Sequence, residues 1–323
     1  MRLDFSSGEI RQTDRDLDLA VEGNGFLVLE KDNEFFYART GSFEVNDDGF
    51  IVLTGTDYKL TVLDDTGKAV SLSLDAYRID APEQTTRIKF GDNLSSTATE
   101  FTLSDVKVFD AEGESDDWQI SFTRADDAPA GEWTVTVTNG NGDEIGEQTL
   151  KFVNGVIDPS TSELTFEDAD AGRTAIFDFS ENVTSFSSGE VSTLRTTDID
   201  GFGIGEITSI AVNEQGVLEI QYSNEQSEEL GAVSLADFEQ VQSLEQIGAG
   251  LFSYNRSTGR ELLSSASDRV GRVQSNRIEA SNVDLSQQFG DLILVQRGYQ
   301  ASSQVVSVSN DMIQQLFGLR GQG

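Results

Sequence analysis

The sequence has no cysteine and no histidine among its 323 residues. That removes disulfides, thiol nucleophiles, imidazole general bases, and the thiolate and imidazole ligands of ordinary zinc sites. Carboxylate chemistry remains possible. Proline is scarce, at 3, and lysine at 6. No stretch approaches the roughly 20 consecutive apolar residues that span a bilayer. Met1-Arg2-Leu3-Asp4 leads into no apolar segment of the kind that marks a secretory signal, so export would need a route that does not use one.

Hydrophobic residues make up 37%, with 20 Phe, which is enough for folded β-domains. The 30 Gly suit the positive-φ turns between many short strands. The net charge of −35 disfavours nucleic acid and anionic membrane surfaces as partners. It is unevenly spread. Residues 91–200 carry 24 acidic and 5 basic residues, whereas 251–323 carry 6 and 7. The middle therefore reads as an acidic solvated body, and the tail as a segment that is easier to bury against other chains. Few lysines in an acidic chain also suit a saline habitat, and both readings stay open.

Residues 15–63 read as strands and tight turns. Leu17, Leu19 and Val21 alternate with Asp18, Ala20 and Glu22, as in a half-buried strand. Gly23-Asn24-Gly25 and Asn46-Asp47-Asp48-Gly49 are turn signals. Pro82 and the polar run Asn93–Glu100 read as a connector. Residues 101–197 form a second β-region, with alternation at Trp118-Gln119-Ile120-Ser121-Phe122 and from Trp133 to Thr138. Residues 198–275 return to the first style, with Val217–Tyr222 pairing back on Ile207–Val212 through Asn213-Glu214-Gln215-Gly216, and a short helix within 234–247.

From about Asp284 to Phe317 the period changes. Leu285, Leu292, Tyr299, Val306 and Ile313 recur every seventh residue, and Phe289 and Phe317 sit four beyond members of that series. Gln296, Ser303 and Asn310 make the seam polar in places, and Gly318 reads as the stop. A helix on the order of 50 Å long is too long for a small β-domain to cover. No second long helix is visible, so an assembly partner is the natural inference. In a lone subunit such a helix has nothing to bury against, and is expected detached, folded back or unformed.

Several patterns invite sharper chemistry. Asn139–Asp143 resembles a calcium loop, but Glu144 stands where Gly is needed and Leu150 where Glu is needed. Asp116/Asp117 and Asp126/Asp127 are sequence neighbours, which seldom face each other across a substrate, so a solvated face is the better reading. Gly201-Gly203-Gly205 lacks the strand–turn–helix setting of a nucleotide fingerprint and reads as a flexible corner. Arg297 in the QRGYQ segment suits a buried contact. No catalytic residue, metal site or cofactor is assigned, and the chain is not read as an enzyme.

Three stretches resemble the flagellar hook and rod family of axial proteins. The first is LDLAVEGNGFLVL at Leu17–Leu29 with YARTGSF at Tyr37–Phe43. The second is Asp200–Tyr222, running on to Leu235-Ala236-Asp237-Phe238. The third is the tail Glu279–Leu316, with EASNVDL, QRGYQASSQVV and SNDMIQQL. The second stretch and the acidic insertion before it favour hook over rod. The resemblance implies type III flagellar export and polymerisation into a curved tube outside the cell that passes motor torque to the filament. It implies other copies of the chain, other axial proteins and a hook cap as partners, with no nucleic acid and no membrane insertion. The expected fold is mainly β, with two antiparallel β-domains, one inserted in the other, and a long C-terminal amphipathic α-helix. Residues 1–90 and 198–275 would form the intermediate domain, 91–197 the inserted outer domain, and 276–323 the helical assembly segment. Members of the family begin with a long N-terminal helix, whereas 16 residues precede Leu17 here, so the usual mate of the C-terminal helix is expected to be missing. A distal rod or hook-like protein is the alternative within the family. Outside it, the alternative is a non-polymerising extracellular β-module binding calcium or glycan.

Overall fold

The computed structural model describes residue 5 and residues 8–320, apart from 126, 127, 170, 249, 257, 266, 268, 283 and 284. The described chain is mostly strand and ends in one long helix, Leu285–Arg320. The strands gather around separate cores, and the division follows the hydrophobic patterning.

One core is built by two distant parts of the chain. Leu19, Leu27, Leu29, Phe43 and Leu60 pack with Leu218, Ile220, Leu235 and Val273. Strands early in the sequence pair directly with late ones. Leu27 lies opposite Leu235, and Val21 opposite Val273. The alternation at 17–22 does not give a half-buried strand: in Asp18–Glu22 all residues but Glu22 are buried. That strand is paired on both sides, and a ribbon formed by Ile10–Gln12 and Arg277–Glu279 lies near it. The same two-sided burial holds at Phe26–Lys31. There Leu27 and Leu29 face this core, while Phe26 and Val28 face an aromatic cluster with Tyr37 and Phe238. The hairpin from Gly205–Val212 to Val217–Tyr222 closes through the expected turn, where Asn213 Oδ1 accepts from Gln215 N and Val217 N. The helix expected within 234–247 is a 3-10 turn, Val241–Ser243. Ser234–Phe238 is a strand instead, because sheet partners at Phe26 and Leu27 capture Leu235 and Ala236.

The second core lies wholly between residues 88 and 194. Trp118, Ile120 and Phe122 from one strand, and Trp133, Val135 and Val137 from the next, meet Phe90, Phe177 and Phe179. These strands alternate buried and outward residues as the sequence implies. Four consecutive strands between Glu100 and Val153 form an antiparallel meander. Arg87–Asn93 departs from the antiparallel expectation, pairing in parallel with Arg173–Asp178 and Val183–Thr184. It is the strand by which the chain enters this region. Its antiparallel neighbour is the exit strand, Arg195–Ile199, which leaves its other edge to strands running the same way. The polar run after Asn93 is not a loose connector, since Leu94 and Ala98 are buried in this core.

Entry and exit segments are stitched together. Glu83 and Phe202 exchange both backbone hydrogen bonds, at 3.0 and 2.9 Å. Asn224 Nδ2 donates to Asp80 at 2.8 Å and to the Gly203 carbonyl at 3.0 Å. A Cβ on Gly201 would overlap Thr85, and one on Gly205 would overlap the Asn224 side chain. The glycine series is therefore a place of close backbone approach, not the flexible corner its composition suggests.

Candidate assembly surface

The C-terminal helix has 36 residues, a length of about 54 Å at ~1.5 Å per residue. It runs to Arg320, two residues beyond Gly318. Gly298 likewise lies inside it, and neither end of the heptad series is marked by a break. Every described side chain on the helix is exposed, including Arg297, for which a buried contact was expected.

The heptad residues are bare. Phe289 is 62% exposed, Leu292 53%, Tyr299 77%, Val306 68% and Ile313 50%. Leu285 and Phe317 belong to the helix, but their side chains lie outside the described residues. A second apolar set, Leu294, Val305, Val308 and Met312, is equally bare. At ~100° per residue it lies roughly opposite Leu292 and Tyr299. A template that counts every seventh residue passes over it, whereas plotting the residues around a helix would have found it. The helix charges cancel, with Asp291 and Asp311 against Arg297 and Arg320. No described helix is long and apolar enough to cross a membrane.

The helix is carried by the ribbon Ile10–Gln12/Arg277–Glu279. At its foot the Arg39 guanidinium meets the Glu279 carboxylate at 3.2 Å, with the two side chains 13% and 9% exposed. Thus the YARTG segment and the EASN segment, 240 residues apart, are in direct contact.

The calcium-like segment is a hairpin turn. Asn139 Oδ1 accepts from Asn141 N and Asp143 N, and Asp116 accepts from Gly140 N. Its oxygens close the turn. Asp116 and Asp117 are successive residues of one strand and so project to opposite faces. Asp126 and Asp127 lie outside the described residues. No cluster of acidic residues able to hold a metal ion occurs among the described residues.

Separate β-cores and one long helix with bare apolar side chains fit the class of structural proteins. Residues 20–93 match the family model described as Flagellar hook protein FlgE/F/G D1 domain, and residues 274–319 match Flagellar basal body rod FlgEFG protein C-terminal. The flagellar hook protein FlgE of Salmonella typhimurium is 28% identical over 345 residues, covering 98% of this chain and 85% of that protein. That of Treponema pallidum is 23% identical, covering 98% and 82%. The solved structure of Helicobacter pylori flagellar hook protein FlgE2 superposes with a TM-score of 0.56 at 12% identity, over 85% of this chain and all of that one, a likeness of fold. Together the two family models and the matches across most of the chain support a flagellar hook protein, a structural protein. Neither the distal-rod alternative nor the free β-module is favoured by these full-length matches.

Proposed function

We propose that this chain polymerises into the curved tube of a flagellar hook outside the cell, where the tube carries motor torque to the filament. Subunits reach it by flagellar type III export. Copies meet through heterologous contacts, which generate an open helical assembly, and the ends of the tube meet other axial proteins and a cap. No catalysis and no cofactor is part of this role.

The observation that carries the reading is the bare helix. Leu285, Phe289, Leu292, Tyr299, Val306, Ile313 and Phe317 are assigned to subunit contacts. Each large apolar side chain covered there would contribute about 1.5–3 kcal/mol before ordering costs. The second apolar set requires cover on another side of the same helix, which suits a polymer better than a simple pair. On this reading the body divides into an intermediate domain and an inserted outer domain, with Ile88 and Phe90, which share a core with Trp118, going with the outer one. An acidic outer domain keeps surfaces that must slide past each other from sticking.

Deletion of residues 284–323 tests this. The truncated chain should keep the circular dichroism and melting behaviour of its β-domains and lose polymerisation. Normal polymers from it would overturn the proposal.

A further inference from the structure

Two strands of three residues each are marginal on their own in water. Yet among the described residues the ribbon Ile10–Gln12/Arg277–Glu279 is the regular structure between the β-body and the helix. Its residues are exposed or half-buried, so hydrophobic burial does not hold it down.

Two neighbouring side chains of the body, Arg39 and Thr40, reach its Glu279 end. Arg39 Nη1 donates to the Gly23 carbonyl at 2.6 Å and to the Gly25 carbonyl at 3.0 Å, while its Nε donates to Glu279 at 3.2 Å. The guanidinium carbon sits 5.6 Å from the Phe26 ring centre. The turn thus holds the guanidinium on one side while Glu279 meets it on another. Gly23 is needed there: it has φ +144°, and a Cβ would run into the Val270 carbonyl.

Glu279 in turn gathers three segments. One carboxylate oxygen accepts from Arg39, the other from Gly8 N at 2.6 Å. Its own N–H donates to Thr40 Oγ1 at 3.0 Å, and that hydroxyl donates to the Leu19 carbonyl at 2.9 Å. Ala280 N donates to the Glu9 carbonyl at 2.8 Å. Gly8 has no room for a side chain, since a Cβ would overlap the Ala280 carbonyl.

We propose that Arg39 and Glu279 are the positioning pair that fastens the helix-bearing end of the chain, together with the entering strand, to the β-body. Force on the helix then enters the body through a planar five-donor group held by backbone carbonyls. Lysine, a single ammonium on a flexible stem, cannot reproduce that geometry. The consequence for a polymer rests on the assembly role of the helix, but the fastening itself is a property of the monomer and is tested there.

The test is hydrogen exchange by mass spectrometry on the full chain and on Glu279→Ala and Arg39→Lys. Charge-assisted hydrogen bonds are strong enough that losing them should speed exchange at least about tenfold in the peptides covering 8–13 and 276–280. Peptides covering 26–31 and 59–63, in the body, should be unchanged. Arg11→Gln, which removes only the exposed pair with Glu9, should change neither. Unaltered exchange in the ribbon of both variants would overturn the proposal. Equal acceleration everywhere would overturn it too, because it would reduce the pair to a general contribution to stability.

Discussion

Asp200 accepts from the backbone N–H of Thr86 at 2.8 Å and from its hydroxyl at 2.5 Å, and a third bond comes from Arg87 N at 2.9 Å. One carboxylate thus pins the exit strand to the entry strand where the chain passes between its two main cores. Burial pushes the Asp200 carboxyl up, but the bonds from Arg87 N, Thr86 Oγ1 and Thr86 N outweigh it and hold it below the usual carboxylate value. A depressed folded-state value means that the stabilisation is present above the unfolded value of about 3.9 and is lost as pH falls through the folded one. Asp200→Asn should cost about 1 kcal/mol near neutrality, since solvent screens this exposed group. The gap in melting temperature between the two chains should narrow below about pH 4. A gap independent of pH would contradict the assignment.

Gly201→Ala and Gly290→Ala should differ in sign. The first places a methyl group against Thr85 in the stitched joint and should cost about 1–3 kcal/mol. The second meets open space on an exposed helix and should favour that helix by about 1 kcal/mol. Thermal melts of both variants, read against the parent chain by circular dichroism, check the pair.

Both tryptophans, Trp118 and Trp133, lie in the core between residues 88 and 194. Tryptophan fluorescence should therefore follow that unit alone, while circular dichroism follows all of the strands. Trp118→Phe should lower the fluorescence-detected transition and leave the melting of the Leu27–Leu235 core in place. A single transition shifted equally in both signals would show that the two cores unfold as one.

Tyr299→Ser alters a side chain that is 77% exposed. In the monomer its effect on stability should stay within about 0.5 kcal/mol. In assembly it removes an apolar contact, so polymer yield should fall while the melting curve stays put. Sedimentation velocity and calorimetry on the same sample separate the two effects.

How much of this was legible in the sequence depends on the range of the interaction. The alternation Trp118-Ile120-Phe122 and the seven-residue recurrence from Leu292 to Ile313 are local periodicities, and the strands and helix follow from them. The family-like segments were visible for the same reason. What could not be read is what distant residues do to each other. Nothing in YARTG announces that Arg39 meets Glu279, 240 positions away. Nothing in DGFGIG shows that Gly201 is pressed on Thr85 rather than free to flex. The burial of Asp18 and Ala20 comes from distant segments, edge partners at 40–42 and 272–274 and the strand 277–279 lying near, none of which the alternation at 17–22 announces.

A chain that assembles through its bare helix should form tubes once that helix is covered. Electron microscopy of the purified protein, with and without an added N-terminal helix able to cover it, decides whether it does. Tubes in the sample carrying the added helix are the predicted result. Globular monomers in both samples would contradict it.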